Sequence, residues 1–237
     1  MTVEVFGLKF KGTDLKKLLS PSDTLKFVVT VNSEFIIDAH KDSSFMEIIN
    51  SNYSTFDGQI PYFFAKRLVK EKIDKISGSD LIYDILKISS NNKEKVFLLG
   101  DNLTVNEQAV KIARECFGSD CYGYSPPFEP YPFSEKSNIE ILDKIKDIKP
   151  YYLFVAFGAK KQEFWIEENK VLLEKYGVRF VVGCGGSISF LAQKINRAPK
   201  FIQSLGLESV YRLMQEPKLF RLKRLIKSFL FFRYIGK

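Results

Sequence analysis

The chain has 237 residues, of which 45% are hydrophobic and 27% charged, an ordinary balance for one large α/β domain or for one domain with an appendage. Its three cysteines include no C-x-x-C pair and leave one over after any pairing, so we expect a reducing, cytosolic compartment and no disulfide framework. We also expect no secretory signal and no spanning helix, because no apolar run approaches the roughly 18–20 residues that a membrane requires.

The net charge of +8 is concentrated at the C-terminal end of the chain. Residues 194–237 carry a net charge of +9, whereas the preceding 193 residues come to −1. A neutral body with a basic tail favours an anionic partner for the tail, such as nucleic acid, a membrane surface or an anionic ligand.

The first half of the chain alternates short strands with helical patterns. The residue pattern predicts strands at 27–31 and 52–56 and a helix at 33–50. The second strand ends at Asp57-Gly58, and Pro61 then fits the first turn of a helix, where its missing N–H is not needed. Ser79 is a candidate N-cap for the helix after that.

Three continuous apolar runs that end in glycine follow, each with a helical pattern after it; they lie at 95–100, 151–158 and 178–186. Such runs are typical of parallel strands buried on both faces. Their alternation with helices predicts a Rossmann-like, three-layer α/β/α fold with a mainly parallel sheet. Because ligands bind outside the carboxyl ends of such strands, we expect Gly100, Gly158 and Gly183 on the binding edge. The proline-rich stretch 121–134 is predicted to be a loop.

The character of the chain changes after Pro199, so we predict a core over 1–199 and a helical, membrane-binding appendage over 200–237. Leucine, isoleucine and phenylalanine recur at helical spacing in 219–229, with lysine and arginine between them. This basic amphipathic pattern is typical of a helix that lies at a membrane interface. The alternative is a terminal helix docked on the domain with its basic face in water, and the FLFF sequence favours the membrane.

Two glycine- and lysine-containing turns can bind phosphate. The backbone N–H groups of Gly183, Gly185 and Gly186 can approach a phosphate closely, although a plain tight turn explains the same glycines. Lys161 and Gln162 lie at a predicted helix N-terminus, which favours a diphosphate, and a solvated basic turn is the alternative. Neither segment matches a dinucleotide fingerprint or a Walker loop.

Polar residues also follow the first two predicted strands. Thr30 and Asn32 end the first strand, and Asp57 ends the second. Helix capping and an Asx-turn explain these residues as well as a catalytic role does. The sequence has no Asp-x-Asp, so the usual metal-diphosphate clamp of many sugar transferases is missing.

Taken together, these segments resemble the WecG/TagA/CpsF family of bacterial glycosyltransferases. The matching segments are TVNSEFI (30–36), FDGQIPYFFAKRL (56–68), SGSDLIYDIL (77–86), VFLLGDN (96–102), FVAFGAKKQEFWI (154–166) and VVGCGGSISFLAQKINRAPKFIQSLGLESVYRLMQEP (181–217). The most specific are G-A-x-K-Q-E, R-A-P and L-G-L-E-x-x-Y-R-L-x-Q-E-P.

The resemblance implies an inverting, metal-independent transfer of a hexose or N-acetylhexosamine from a UDP-sugar. In the best-known branches of the family this sugar is N-acetylmannosamine or its uronic acid. It implies a polyprenyl-diphosphate-linked acceptor sugar, no cofactor, and a peripheral position on the cytoplasmic face of the plasma membrane. The pathways implied are those of teichoic acid, capsule, exopolysaccharide or enterobacterial antigen.

The resemblance also implies roles for individual residues. Asp57 matches the proposed catalytic base, and Thr30 and Asn32 match its supporting residues. The expected contacts to the acceptor diphosphate come from tail arginines, of which Arg212 matches in register, while Arg221 and Arg224 lie near the expected places. The expected donor-binding residues are Gly100, Asp101, Gly158, Lys161, Gln162, Gly183, Gly185 and Gly186.

The chain departs from the family pattern at two positions where the donor is expected. Ser189 stands where the family often has aspartate, and Asp101 stands where a second small residue is common. These differences bear on the donor sugar rather than on the reaction class.

Two other functions stay open on the residues alone. A nucleotide-binding oxidoreductase fits the sheet but lacks the dinucleotide fingerprint. A nucleic-acid-binding protein fits the basic tail, although the interleaved apolar residues suit a bilayer edge better. The expected partners are therefore a UDP-sugar, a polyprenyl-diphosphate-linked acceptor and the cytoplasmic membrane surface, with no nucleic acid, and a homo-oligomer stays an open alternative.

Overall fold

A computed structural model describes residues 2–215 and 217–236. Its strands are β1 Val3–Val5, β2 Leu8–Phe10, β3 Lys26–Val31, β4 Tyr53–Phe56, β5 Val96–Gly100, β6 Cys121–Tyr124, β7 Tyr152–Ala156 and β8 Phe180–Gly183. Its helices are α1 Leu15–Leu18, α2 Ser33–Ala39, α3 Ser43–Ser51, α4 Gln59–Leu68, α5 Gly78–Asn92, α6 Leu103–Phe117, α7 Glu135–Ile148, α8 Lys161–Lys175, α9 Ser187–Leu191, α10 Lys200–Ser204, α11 Glu208–Gln215 and α12 Leu219–Ser228. A 3₁₀ segment, Phe229–Tyr234, follows α12.

Within the described residues, six strands form one sheet in the order β4-β3-β8-β7-β5-β6, and β1 pairs with β2 as an antiparallel hairpin. Strand β5 lies between β6 and β7 and is parallel to both, and β7 is parallel to β8. Helices flank this sheet. The predicted Rossmann-like α/β fold with a mainly parallel sheet is confirmed.

The chain folds into two compact units. Unit 1 consists of Met1–Ser20, Val29–Ser77 and Ile195–Lys237, and unit 2 of Pro21–Val28 and Gly78–Lys194. The tail thus belongs to unit 1, together with the segment that holds Asp57. The proposed division of the chain at residue 199 stays a prediction.

The three apolar runs that end in glycine form the strands predicted for them, β5, β7 and β8. Every residue of β5 and β8 is buried, as expected of parallel strands covered on both faces. The register pairs Gly100 with Ala156 and Val155 with Gly183, so these strands end together at one edge of unit 2. Their burial on both faces is what makes the sequence pattern continuous rather than alternating.

Three local predictions were wrong. Residues 33–50 form two helices, α2 and α3, because Asp42 caps a second helix by accepting a hydrogen bond from the N–H of Phe45. Helix α5 begins at Gly78, which places Ser79 inside its first turn rather than at its N-cap. Residues 121–124 of the predicted loop form strand β6, which pairs with β5 even though it contains Gly123.

A tight contact explains the glycine in β6. A Cβ at position 123 would collide with the side chain of Asn106, whose amide donates hydrogen bonds to the carbonyls of Leu98 and Gly100. Glycine lowers the strand propensity, but here it admits the side chain that links α6 to β5. The sequence alone shows the low strand propensity of Gly123, but it does not show the contact with Asn106.

The segment after Pro199 is helical, as predicted, but it is interrupted between α10 and α11. Gly206 adopts a left-handed φ of +75°, and a Cβ there would lie 3.0 Å from Cγ1 of Ile60. The chain therefore turns at a close contact within unit 1 and then continues as α11. Over the described residues, no helix is both long enough and apolar enough to cross a membrane.

Candidate active site

Asp57 lies directly after β4, beside the end of β3. Its backbone N–H donates to the carbonyl oxygen of Val31 at 2.9 Å, and Val31 lies between Thr30 and Asn32 in the sequence. Asp57 is half-buried, and Thr30 is buried. Unit 1 thus brings together the three residues that the sequence offered as a catalytic group, and their roles stay predictions.

The turn after Asp57 depends on Gly58. Its φ of +93° and ψ of 149° form a conformation that residues with a side chain rarely adopt, and α4 begins at the next residue. Pro61 is the third residue of α4, in the first turn, as predicted. This geometry ends β4 abruptly at the carboxylate and starts a helix immediately after it.

Asn32 has a structural role that the sequence already indicated. It is the N-cap of α2, and its Oδ1 accepts a hydrogen bond from the N–H of Phe35 at 3.0 Å. Helix capping alone explains an asparagine at this position. The predicted support of Asp57 by Asn32 therefore stays a prediction that rests on their proximity.

The tail arginines all lie in unit 1. Arg212 is in α11, Arg221 and Arg224 are in α12, and the Nε atoms of Arg212 and Arg221 are shielded from solvent. Arg224 donates from Nε to Oε2 of Glu34 at 2.6 Å. A diphosphate that binds Arg224 must therefore compete with Glu34, a residue of the first turn of α2.

A second cation on α12 engages the same helix. Nζ of Lys227 lies 2.6 Å from Oδ1 of Asp38 and 3.5 Å from Oε1 of Glu34. Helix α12 consequently turns part of its basic face toward α2. Beyond it, the ring of Phe231 is fully buried, with its centroid 5.0 Å from that of Phe6.

The predicted donor-binding positions require glycine for different structural reasons. A Cβ on Gly100, which has φ +98°, would lie 2.8 Å from the carbonyl oxygen of Ala156. Gly158 and Gly185 also have left-handed φ values, of +96° and +51°, yet a Cβ on either would meet nothing within 4 Å. Open space therefore borders the backbone at two of the turns expected to receive a phosphate. Gly186, just before α9, has an ordinary φ of −85°.

Gln162 holds the glycine-rich turn in place. The N–H of Gly185 donates to its Oε1 at 3.3 Å, and its Nε2 donates to Oε1 of Glu163 at 2.7 Å. A Cβ on Gly183 would collide with the side chain of Glu163 and lie 2.7 Å from Nε2 of Gln162. The first turn of α8 and the end of β8 therefore fit together only with glycine at position 183.

Glu163 is a fully buried carboxyl group next to this turn. Burial raises its pKa from 4.5 to about 7, while the hydrogen bond from Gln162 opposes the shift. Its Oε2 has no hydrogen-bond partner among the described residues. Sequence reasoning missed this residue, although its helical spacing with Ile166 and Leu173 on the buried face of α8 was a usable signal.

Lys161 is the first residue of α8. Its Nζ lies 5.6 Å from the ring centroid of the exposed Phe128, in the loop before α7. The N-cap residue Lys160 makes no side-chain capping hydrogen bond. The N-terminus of α8 thus combines backbone N–H groups with positive charge, an arrangement that attracts anions.

One further cavity lies elsewhere in unit 2, against β6. It has a volume of about 590 Å³ and is lined by residues that include Tyr122, Tyr124 and Lys144. None of the described residues that line it was predicted to bind the donor. The predicted donor-binding residues lie instead at and after the ends of β5, β7 and β8.

The sequence comparison decides the family. The sequence model of the glycosyl transferase WecG/TagA/CpsF family matches residues 3–237. The chain belongs to this family of glycosyltransferases. The resemblance carried by the sequence segments is confirmed, the protein is a transferase, and the oxidoreductase and nucleic-acid-binding alternatives lose their support.

Individual relatives in the family have named activities. The chain is similar to the N-acetylglucosaminyldiphosphoundecaprenol N-acetyl-beta-D-mannosaminyltransferases of Staphylococcus aureus strains MW2 and MRSA252, with 29% and 28% identity over 241 aligned residues. Each alignment covers 98% of this chain and 91% of the relative.

The two departures from the family pattern are in contact with each other. Oγ of Ser189, in α9, donates to Oδ2 of Asp101 at 2.6 Å. The other carboxylate oxygen of Asp101 accepts from the N–H of Asn102 at 2.8 Å. The two residues are 88 positions apart, so no local pattern in the sequence connects them.

The predicted site residues fall into two sets, each within one unit. Unit 1 holds the catalytic candidates and the tail arginines. Unit 2 holds all the predicted donor-binding residues. In the described part of the chain, no cluster of three or more His, Cys, Asp or Glu side chains has the arrangement of a metal site.

Proposed function

We propose that this glycosyltransferase moves an N-acetylmannosamine-type hexosamine from a UDP-sugar to N-acetylglucosamine linked to a polyprenyl diphosphate. The names of the relatives support the transferred sugar and the acceptor, and the alignments span nearly the whole of this chain. The observation that carries the proposal is the position of Asp57, whose backbone pairs with Val31 between Thr30 and Asn32.

In this mechanism Asp57 is the general base. Its carboxylate takes the proton of the acceptor hydroxyl as the oxygen forms a bond to the anomeric carbon. The bond from that carbon to the diphosphate oxygen of UDP breaks, and the configuration inverts. One proton moves to Asp57, and the bonding electron pair leaves with UDP.

The departing UDP carries negative charge that the protein must stabilise. In unit 2, the N–H groups at the start of α8, Lys161 and the open backbone at Gly158 and Gly185 are suited to that task. We propose that these groups suffice and that the reaction needs no metal ion.

The acceptor is a membrane lipid, and the surface of the tail supports a peripheral attachment at the cytoplasmic face. Leu219 and Ile226 of α12 are 78% and 61% exposed, whereas Arg224 and Lys227 contact acids of α2. A helix docked in the ordinary way buries its apolar side and exposes its charges. The exposed apolar side chains of α12 suit a membrane interface, where lipid covers them.

The test is a transfer assay with purified protein, synthetic polyprenyl-diphosphate-linked N-acetylglucosamine and a panel of UDP-sugars. We expect transfer from the N-acetylmannosamine donor, with an inverted anomeric centre seen by NMR and an unchanged rate in EDTA. Transfer from none of the UDP-sugars would overturn the proposed donor class. A requirement for a divalent cation would overturn the metal-independent mechanism alone.

A further inference from the structure

The hydrogen bond between Ser189 and Asp101 joins two turns at the carboxyl ends of β5 and β8. Asp101 follows β5 directly and has a left-handed φ of +60°, and its N–H is directed at the carbonyl oxygen of Ala156 at 3.4 Å. Aspartate is one of the few residues with a side chain that tolerate this conformation. Since β7 and α9 both hold it, Asp101 occupies a well-defined position.

The carboxylate of Asp101 retains capacity for a ligand. An ionised carboxylate has about four acceptor positions, and the N–H of Asn102 and the hydroxyl of Ser189 occupy one on each oxygen. Asp101 is half-buried, whereas Ser189 is almost fully buried. Ser189 therefore orients a carboxylate that solvent, or a ligand, still reaches.

The backbone near Ser189 and Asp101 borders open space. Burial raises the pKa of Cys184, and the negative charge of Asp101 raises it further. The hydrogen bond from Ser189 joins Asp101 to the helix that directly follows the 183–186 turn. Beyond Cys184, a Cβ on Gly185 would meet nothing within 4 Å. A carboxylate in such a place recognises hydroxyl or amide N–H donors, and it repels other carboxylates.

We propose that Asp101, oriented by Ser189, determines which sugar of the UDP-sugar is accepted. The inference rests on the proposed function and names the substrate class within it. Asp101 accepts hydrogen bonds from the neutral hexose part of the donor and excludes a donor whose sugar carries a carboxylate. The substrate class is therefore a neutral UDP-N-acetylhexosamine and not the corresponding uronic acid.

The main test compares wild type with Asp101→Asn, which keeps the shape, tolerates the left-handed conformation and removes the charge. We expect kcat/KM for the neutral donor to fall by about tenfold to a hundredfold, the effect of losing a charge-assisted hydrogen bond. The ratio of kcat/KM for the uronic acid donor to that for the neutral donor should rise at least about tenfold. The affinity for UDP alone, measured by calorimetry, should stay unchanged, because Asp101 contacts the sugar.

Two further variants separate orientation from packing. Ser189→Ala should lower kcat/KM for the neutral donor, and Ser189→Thr, which keeps the hydroxyl, should restore it. Asp143→Asn, at an exposed position of α7, is the control for the amide substitution.

The outcomes distinguish this inference from the function on which it rests. If wild type transfers a sugar and Asp101→Asn leaves the donor preference unchanged, the inference is wrong and the function stands. If wild type prefers the uronic acid donor, the inference is also wrong. If no UDP-sugar is transferred by wild type, the proposed function itself fails.

Discussion

Arg224 donates from Nε to Oε2 of Glu34 at 2.6 Å, and this hydrogen bond joins α12 to α2, the helix that follows β3. Lys227 adds contacts to Glu34 and Asp38 on the same helix. The basic tail is thus partly neutralised within unit 1. It follows that the tail's charge excess, as counted from the sequence, overstates the positive charge available to a partner.

The ion pair should make a small, salt-dependent contribution to stability. The side chains of Arg224 and Glu34 are 45% and 15% exposed, so we expect a coupling free energy of about 0.5–1 kcal/mol. Urea unfolding of Glu34→Gln, Arg224→Gln and the double variant measures it. The Lys9–Glu4 pair, at 3.9 Å on the surface, is the matched control and should show no coupling. A coupling that is equal in 1 M salt would contradict an electrostatic origin.

The exposed apolar residues of α12 should carry membrane binding. Replacing both Leu219 and Ile226 by glutamine removes apolar area that would be buried in lipid, so affinity for anionic vesicles should fall at least about tenfold. Sedimentation with phosphatidylglycerol-containing vesicles measures the change. Because neither residue is buried, the thermal unfolding midpoint should not change.

The matched control for this surface is Val171→Gln, which replaces another exposed apolar residue, on α8. It should leave vesicle binding unchanged. Equal losses from both substitutions would mean that binding is not localised to the tail. Deletion of the whole tail is a poorer test, because it removes Phe231 and uncovers Phe6, so that a loss of binding can reflect unfolding of unit 1.

Asp57→Asn should remove the general base without disturbing the fold. The backbone hydrogen bond to Val31 is retained, and asparagine has nearly the same shape as aspartate. We expect kcat to fall by about 10²–10⁴-fold at an unchanged unfolding midpoint. Asp23→Asn, at an exposed position, serves as control. Full turnover in the Asp57 variant would assign the base to another residue.

The buried carboxyl group of Glu163 should make stability depend on pH. Its pKa is raised from 4.5 to about 7 in the folded protein, so the folded state binds the proton more tightly than the unfolded state. This contribution is complete below pH 4.5 and is lost as the pH rises through 7, at most about 1.4 kcal/mol per pH unit. The total loss is about 3 kcal/mol.

Urea unfolding between pH 5 and 9 measures this dependence. Glu163→Gln keeps the acceptor for Gln162 and cannot ionise, so its stability should change less with pH than that of wild type. Glu115→Gln, at an exposed position of α6, should follow the wild-type profile. A Glu163→Gln profile parallel to that of wild type would show that the carboxyl group does not titrate in this range.

The central sheet was largely predictable, because its strands are local patterns. The strands at β5, β7 and β8 are continuous apolar runs that end in glycine, and each folded as expected. Strand β6 was not predictable, since its glycine reflects a contact with Asn106 and its neighbours are prolines. The division of 33–50 into two helices was not predicted, because in the sequence Asp42 fits the polar face of a single helix. Only the structure shows that its side chain caps α3.

Part of the candidate site followed from the strand ends. The sequence placed Asp57 beside Thr30 and Asn32, and the backbone pairing with Val31 brings these residues together. It did not indicate that Gln162 uses its amide to hold the 183–186 turn. That arrangement depends on the close fit between the first turn of α8 and Gly183 at the end of β8.

The sequence by itself determined the alternation of strands and helices and the position of the predicted base, because these depend on residues close together in the chain. It also determined the family, because each matching segment is a local motif and the segments follow one another in the family's order. Only the tertiary structure decided which distant side chains meet. Ser189 and Asp101 are 88 residues apart, and Arg224 and Glu34 are 190 apart. A backbone preference acts over a few residues, whereas such pairs are set by the path of the whole chain. Our proposals for the donor sugar and for the tail rest on these two contacts.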